Sequence, residues 1–156
     1  MVMAEAKKPR LVGINHIAIE VADIDAALEW YAKIFDFTLR GKGERNAFID
    51  MGDQFVNITR VPDYEAEGEE KRHIGFVVDD RSRIIELANA AGARFVEGPF
   101  LDFLDPWGNR LEITEYSNIQ FTKASHVLRG MGLDLDKNDK AKKELADKGM
   151  VDDAWI

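Results

Sequence analysis

The sequence predicts an α+β fold in which two βαβββ modules pair to form a curved mixed sheet, followed by a C-terminal extension. Three observations carry this. The phrases NHIAIEVAD at 15–23 and RHIGFVVDD at 72–80 share one pattern, a histidine, an alternating apolar run and then acid. DMGDQFVNIT at 50–59 lies over DPWGNRLEIT at 105–114 in nearly the same repeat register. Between these landmarks each half offers one helical pattern and three short strand patterns, and such internal duplication is a fold-level signal.

In the first module, residues 10–62, Leu11 to Val21 alternates apolar and polar residues and reads as a strand. Asp23 is a candidate N-cap for a helix with Ile24, Ala27, Leu28, Tyr31, Ile34 and Phe35 at three- and four-residue steps. FTLRGKGE, NAFIDMG and QFVNITRV are strands, the last two joined by a tight turn at Gly52-Asp53. The acidic PDYEAEGEEK is a solvated linker.

The second module, residues 72–117, repeats the order. HIGFVV is a strand and DRSRIIELANAAG a helix closed by Gly92. ARFVEGP, FLDFLDP and RLEITEY are strands, with a turn at Asp105-Pro106-Trp107-Gly108 before the last. In the extension, 118–156, IQFTKASHVLRGMGL shows no clean period. NDKAKKELADKGM is a charged helix capped by Asn138 or Asp139 and closed by Gly149. The extension is an addition to the repeat that can pack on the surface, cover a site or reach a neighbouring chain.

Composition narrows the functional classes. The chain has 156 residues, a net charge of −8 and no cysteine. Thiolate chemistry is therefore absent, a reducing compartment fits, and cytoplasmic localisation is expected. MVMAEAKKPR lacks the apolar segment of a signal peptide, and no apolar run is long enough for a membrane span. The acidic balance argues against nucleic acid as a partner.

Two of the three histidines, His16 and His73, occupy equivalent places at an offset of 57, and Asn57 falls on Glu112 at an offset of 55. An approximate two-fold axis between the halves would gather these positions. Two imidazoles and a carboxylate suit a divalent metal with open positions. Duplication copies a structural histidine as readily as a ligand, so the residues alone leave both readings open. Arg110 shares the face of Glu112 by period two and is a candidate for holding a substrate oxyanion; a paired surface arginine is the plain alternative. Phe48, Phe55, Phe100 and Phe103 are candidates to wall an apolar pocket or to be ordinary core. Trp30 and Tyr31 read as core, and His126, in the tail, as a surface residue.

INHIAIEVADIDAALEWYAKIFDF, RHIGFVVDD and FLDPWGNRLEITEY resemble the vicinal oxygen chelate superfamily, which includes glyoxalase I, methylmalonyl-CoA epimerase, fosfomycin-resistance transferases, extradiol dioxygenases and bleomycin-resistance proteins. The resemblance covers about residues 10–117. It implies a glyoxalase-like fold and one divalent ion per site (Zn, Ni, Mn, Co or Fe(II)), with His16, His73 and Glu112 as ligands. Asn57 stands where glyoxalase I-like members have Glu and the epimerases Gln, and is a further ligand or a neighbour of one. Trp107 is placed near the mouth by resemblance, with Arg110, Phe48 and Phe103 as weaker substrate contacts. The implied function is lyase or isomerase chemistry on a small substrate chelated through vicinal oxygens. The alternatives are an iron(II) extradiol-type dioxygenase and a non-catalytic binder of the bleomycin-resistance type. Ala18, where the fosfomycin enzymes have Thr, and VEGPFLDF, which lacks their Ser- and Lys-rich loop, argue against fosfomycin transfer. A homodimer is expected, with His16 of one chain meeting His73 and Glu112 of the other.

Overall fold

The computed structural model describes residues 14–65 and 72–151. The start of the first predicted strand, at 11–13, and most of the acidic linker lie outside them. The first half runs β1 (His16–Val21), α1 (Ile24–Ala32), β2 (Leu39–Lys42), β3 (Asn46–Met51) and β4 (Gln54–Arg60). The second runs β5 (Ile74–Val78), α2 (Arg81–Ala90), β6 (Arg94–Val96), β7 (Asp102–Leu104) and β8 (Arg110–Glu115). A short 3-10 turn at Tyr116–Asn118 leads to α3 (Ser125–Gly130) and α4 (Asp139–Ala146). Strand pairing gives two four-stranded sheets, β1-β4-β3-β2 and β5-β8-β7-β6, rather than one continuous sheet.

Local chemistry explains the boundaries. Asp23 and Asp80 take the same N-cap role, accepting from the backbone N–H of Ala26 and of Arg83, each at 2.9 Å. Asn138 caps α4 by accepting from the Ala141 N–H at 2.8 Å. Gly52, in the β3–β4 turn, has φ +81°, and a Cβ there would meet the Met131 sulfur at 2.7 Å. The positive φ favours glycine there, and a side chain would make the Met131 thioether, just after α3, move aside. α3 itself is too short, at six residues, to show the period that its sequence lacks.

The duplication extends to the hydrogen-bond register. β1 pairs in parallel with β4, setting Ala18 beside Asn57. β5 pairs in parallel with β8, setting Gly75 beside Glu112. One face of each sheet is apolar: Ile19, Val21, Val56 and Ile58 in the first half, and Phe103, Leu111 and Ile113 in the second. These faces, with α1 and α2, form a single hydrophobic cluster. α1 joins the halves. Trp30 packs edge-on to Phe103 at 6.3 Å, and Phe35 packs on Phe76 at 5.8 Å. The Tyr31 hydroxyl donates to Asp105 at 2.9 Å, and Asn109 Nδ2 reaches from the β7–β8 turn to the carbonyl of Glu20 at 3.0 Å.

The extension folds back on its own chain. Lys123 pairs with Asp53, Met131 packs at Gly52, and the Asn138 N–H donates to the carbonyl of Ser117. Lys137 is buried, with its ammonium donating to the carbonyls of Tyr116 and Phe121 and lying 3.3 Å from the centre of the Tyr116 ring. No helix among the described residues is long and apolar enough to cross a membrane.

Candidate metal centre

Period two in β5 and β8 decides which side chains share a face. Leu111 and Ile113 point into the core, so Arg110, Glu112 and Thr114 point the other way. His73, just before β5, lies on that open face too, with its Nε2 3.3 Å from Glu112 Oε2. Two ligands of one ion, each about 2.1 Å from it, are about 3.0–3.4 Å apart at octahedral to tetrahedral angles, so this pair, which also has ion-pair spacing, matches two ligands of a divalent ion.

In the first half Ile17, Ile19 and Val21 turn toward the core, which leaves His16 and Ala18 on the opposite face. Asn57, beside Ala18, and Phe48, opposite Asn57, share that face. His16 Nδ1 lies 2.9 Å from the side-chain oxygen of Asn15. An amide oxygen only accepts, so the tautomer that donates to it from Nδ1 leaves the Nε2 lone pair for a metal. The ring stacks on Phe55 at 4.6 Å, and the Arg40 guanidinium sits 4.9 Å from the centre of the same phenyl ring. Asn57 Oδ1 accepts from Asn46 Nδ2 at 2.9 Å, so the atom that would face a metal is already engaged.

The structure brings together His73 and Glu112 but does not add His16. Among the described residues no three His, Asp or Glu side chains gather in one chain as a metal site. The reason lies in the fold. Both sheets spend their apolar faces on the shared core, so the faces bearing His16 and the His73–Glu112 pair are turned away from it.

Several weaker expectations change. Phe103 is fully buried on the core face against Trp30, so it is packing and not a pocket wall. Trp107 is half-buried and packs against the same core. Arg110 is ion-paired with Asp102, its Nε donating at 2.8 Å, so it is a paired arginine, though a largely covered one and not a surface one. Phe48 stays on the open face, edge-on to Phe55 at 5.8 Å. His126 is exposed on α3.

The Asp105 turn proves structural. Its carboxylate accepts from the N–H groups of Trp107 and Asn109, from Asn109 Nδ2 and from Tyr31. Burial raises its pKa, opposed by these hydrogen bonds. Tyr31 is pushed well above the usual phenol value by burial and then by Asp105. Asp102 is a further buried acid on the Glu112 face; in the sequence it is only a single aspartate between Leu101 and Phe103, which marks neither burial nor pairing.

The family model of the Glyoxalase/Bleomycin resistance protein/Dioxygenase superfamily matches residues 13–113. The chain belongs to this superfamily. The metallothiol transferase FosB of Shouchella clausii is 26% identical over 118 residues, covering 65% of this chain and 78% of that protein. Among solved structures, the fosfomycin resistance protein FosX of Mesorhizobium loti superposes with a TM-score of 0.56 at 22% identity, over 67% of this chain and 92% of that one. A FosX variant of Listeria monocytogenes, solved with Mn(II) and 1S,2S-dihydroxypropylphosphonic acid, superposes with a TM-score of 0.57 at 17% identity, over the same shares of the two chains. At these identities the structural likeness establishes the shared superfamily fold.

Proposed function

We propose that this superfamily member is a metal-dependent enzyme acting on a small substrate held through two neighbouring oxygens. Its centre would be built from His16 of one chain and from His73 and Glu112 of the partner subunit. The observation that carries the reading is the His73–Glu112 pair, 3.3 Å apart on the open face, with Glu112 in β8 at the register position that Asn57 holds in β4. A divalent ion there supplies Lewis acidity to substrate oxygens, the chemistry that lyases and isomerases of this kind use on a developing enolate.

The chain's own residues supply the rest. His16 presents Nε2 because Asn15 takes Nδ1. Phe55 fixes its ring plane, and Phe48 extends the apolar wall. Asn57 lies beside them as a neutral hydrogen-bonding group. The named relatives support metal dependence. Their transfer chemistry is not carried over, since Ala18 and VEGPFLDF depart from the residues expected of fosfomycin enzymes.

The test is metal content. Purified wild-type chain should retain or titrate one divalent ion per site, and His73→Ala should lose it. If the wild-type chain takes up no divalent ion, or His73→Ala keeps it, the centre is wrong and a ligand-sequestering role takes its place.

A further inference from the structure

On the open face of the second half, β7 sets Asp102 directly across from Glu112. Cross-strand partners share a face, and like charges directly opposite one another are destabilising. Each carboxylate is paired separately. Arg110 bonds Asp102 through Nε at 2.8 Å and also through Nη2, while His73 stands by Glu112. Arg110 is two residues from Glu112 in the same strand, so its guanidinium stem rises on the same face, near both acids.

Burial decides where the guanidinium goes. Asp102 is 3% exposed, whereas the Glu112 side chain is 20% exposed. An ion pair is stronger where water is excluded. Yet the geometry is not the one that stability alone would favour. Nε and Nη2 both bond to Oδ2, and the buried Oδ1 has no hydrogen-bond partner among the described residues. A pair built for stability takes the parallel two-oxygen form, and buried acceptors left unsatisfied are uncommon. Such local departures concentrate at functional positions.

We propose that Asp102 is a positioning residue for the metal centre: it sequesters Arg110 and so keeps the Glu112 carboxylate available to a divalent cation. The inference rests on the proposed assignment of His73 and Glu112 as ligands. Without Asp102, the guanidinium turns to the adjacent Glu112, occupies its oxygens and adds positive charge where the ion must bind.

Mn²⁺ titration of the full chain by calorimetry tests this, with thermal melting recorded in parallel. Asp102→Asn keeps the shape and removes the charge, and should weaken Mn²⁺ binding by about 10- to 100-fold, the range for losing a group that orients a ligand. Adding Arg110→Gln should restore affinity to within about threefold of wild type, because the competitor is gone. A purely structural role predicts instead that melting temperature and affinity fall together and that the second change rescues neither. Unchanged affinity in Asp102→Asn, or a double variant more than about tenfold weaker than wild type, overturns the inference. The double variant carries the test alone if Asp102→Asn does not fold. Wild-type chain that binds no Mn²⁺ overturns the ligand assignment and this inference with it. Wild-type binding that is lost in His73→Ala but unchanged in Asp102→Asn overturns the inference alone.

Discussion

Asn57 marks the place where the two halves diverge: it occupies the position in β4 that Glu112 occupies in β8, beside Ala18 as Glu112 is beside Gly75. A neutral amide whose oxygen already accepts from Asn46 is a weak ligand. Asn57→Glu would present a charged oxygen to the same centre, and hard divalent ions prefer carboxylate. Affinity for Mn²⁺ should rise by about tenfold, worth about 1.4 kcal/mol. Unchanged affinity would mean that this face of β4 lies away from the ion. The histidines themselves were legible because they were repeated. Asp102 was not, because a single acid in an apolar strand announces neither its burial nor its partner. Phe103 was open between pocket wall and core, and only its side-chain direction, set by the strand register, sends it to the core.

At the scale of elements, the joint between the halves runs through α1 and the β7–β8 turn. Asp105 collects four donors there, including Tyr31 from the other half. Tyr31→Phe removes one donor from a buried carboxylate and should cost about 1–3 kcal/mol by denaturant melting. A change under about 0.5 kcal/mol would show that the aromatic packing alone holds the joint. The extension offers a pH-dependent signature. Desolvation lowers the Lys137 pKa from 10.5 to about 8, opposed by the charge of Asp136. Between those values the unfolded chain holds a proton that the folded chain has released, so this group adds stability as pH rises from 8 to 10.5. Melting temperatures of wild type relative to Lys137→Met should therefore shift in favour of wild type across that window. A constant difference would mean that the carbonyls of Tyr116 and Phe121 keep the ammonium charged. The strand and helix order of both halves could be read from period and caps. The packing of the extension could not, because α3 spans fewer than two turns and the extension's contacts with Gly52 and Asp53 are distant in sequence.

For the whole molecule, duplication predicts two half-sites, and the fold determines that they do not meet within one chain. The apolar faces of both sheets enter one core, which turns the His16 face and the His73–Glu112 face outward. Covering such faces with a second copy about a two-fold axis gives a closed, self-complementary assembly. In the proposed assembly each centre would draw on both subunits. Subunit mixing tests this most directly. His16→Ala and Glu112→Ala chains, each unable to hold metal alone, are unfolded together, refolded as a mixture, and titrated with Mn²⁺ after mixed dimers have been verified by mass spectrometry. A shared centre restores one intact site in each mixed dimer, so Mn²⁺ binding returns in proportion to the mixed fraction. Verified mixed dimers that bind no more Mn²⁺ than either parent would place the whole centre within one chain and contradict the shared site.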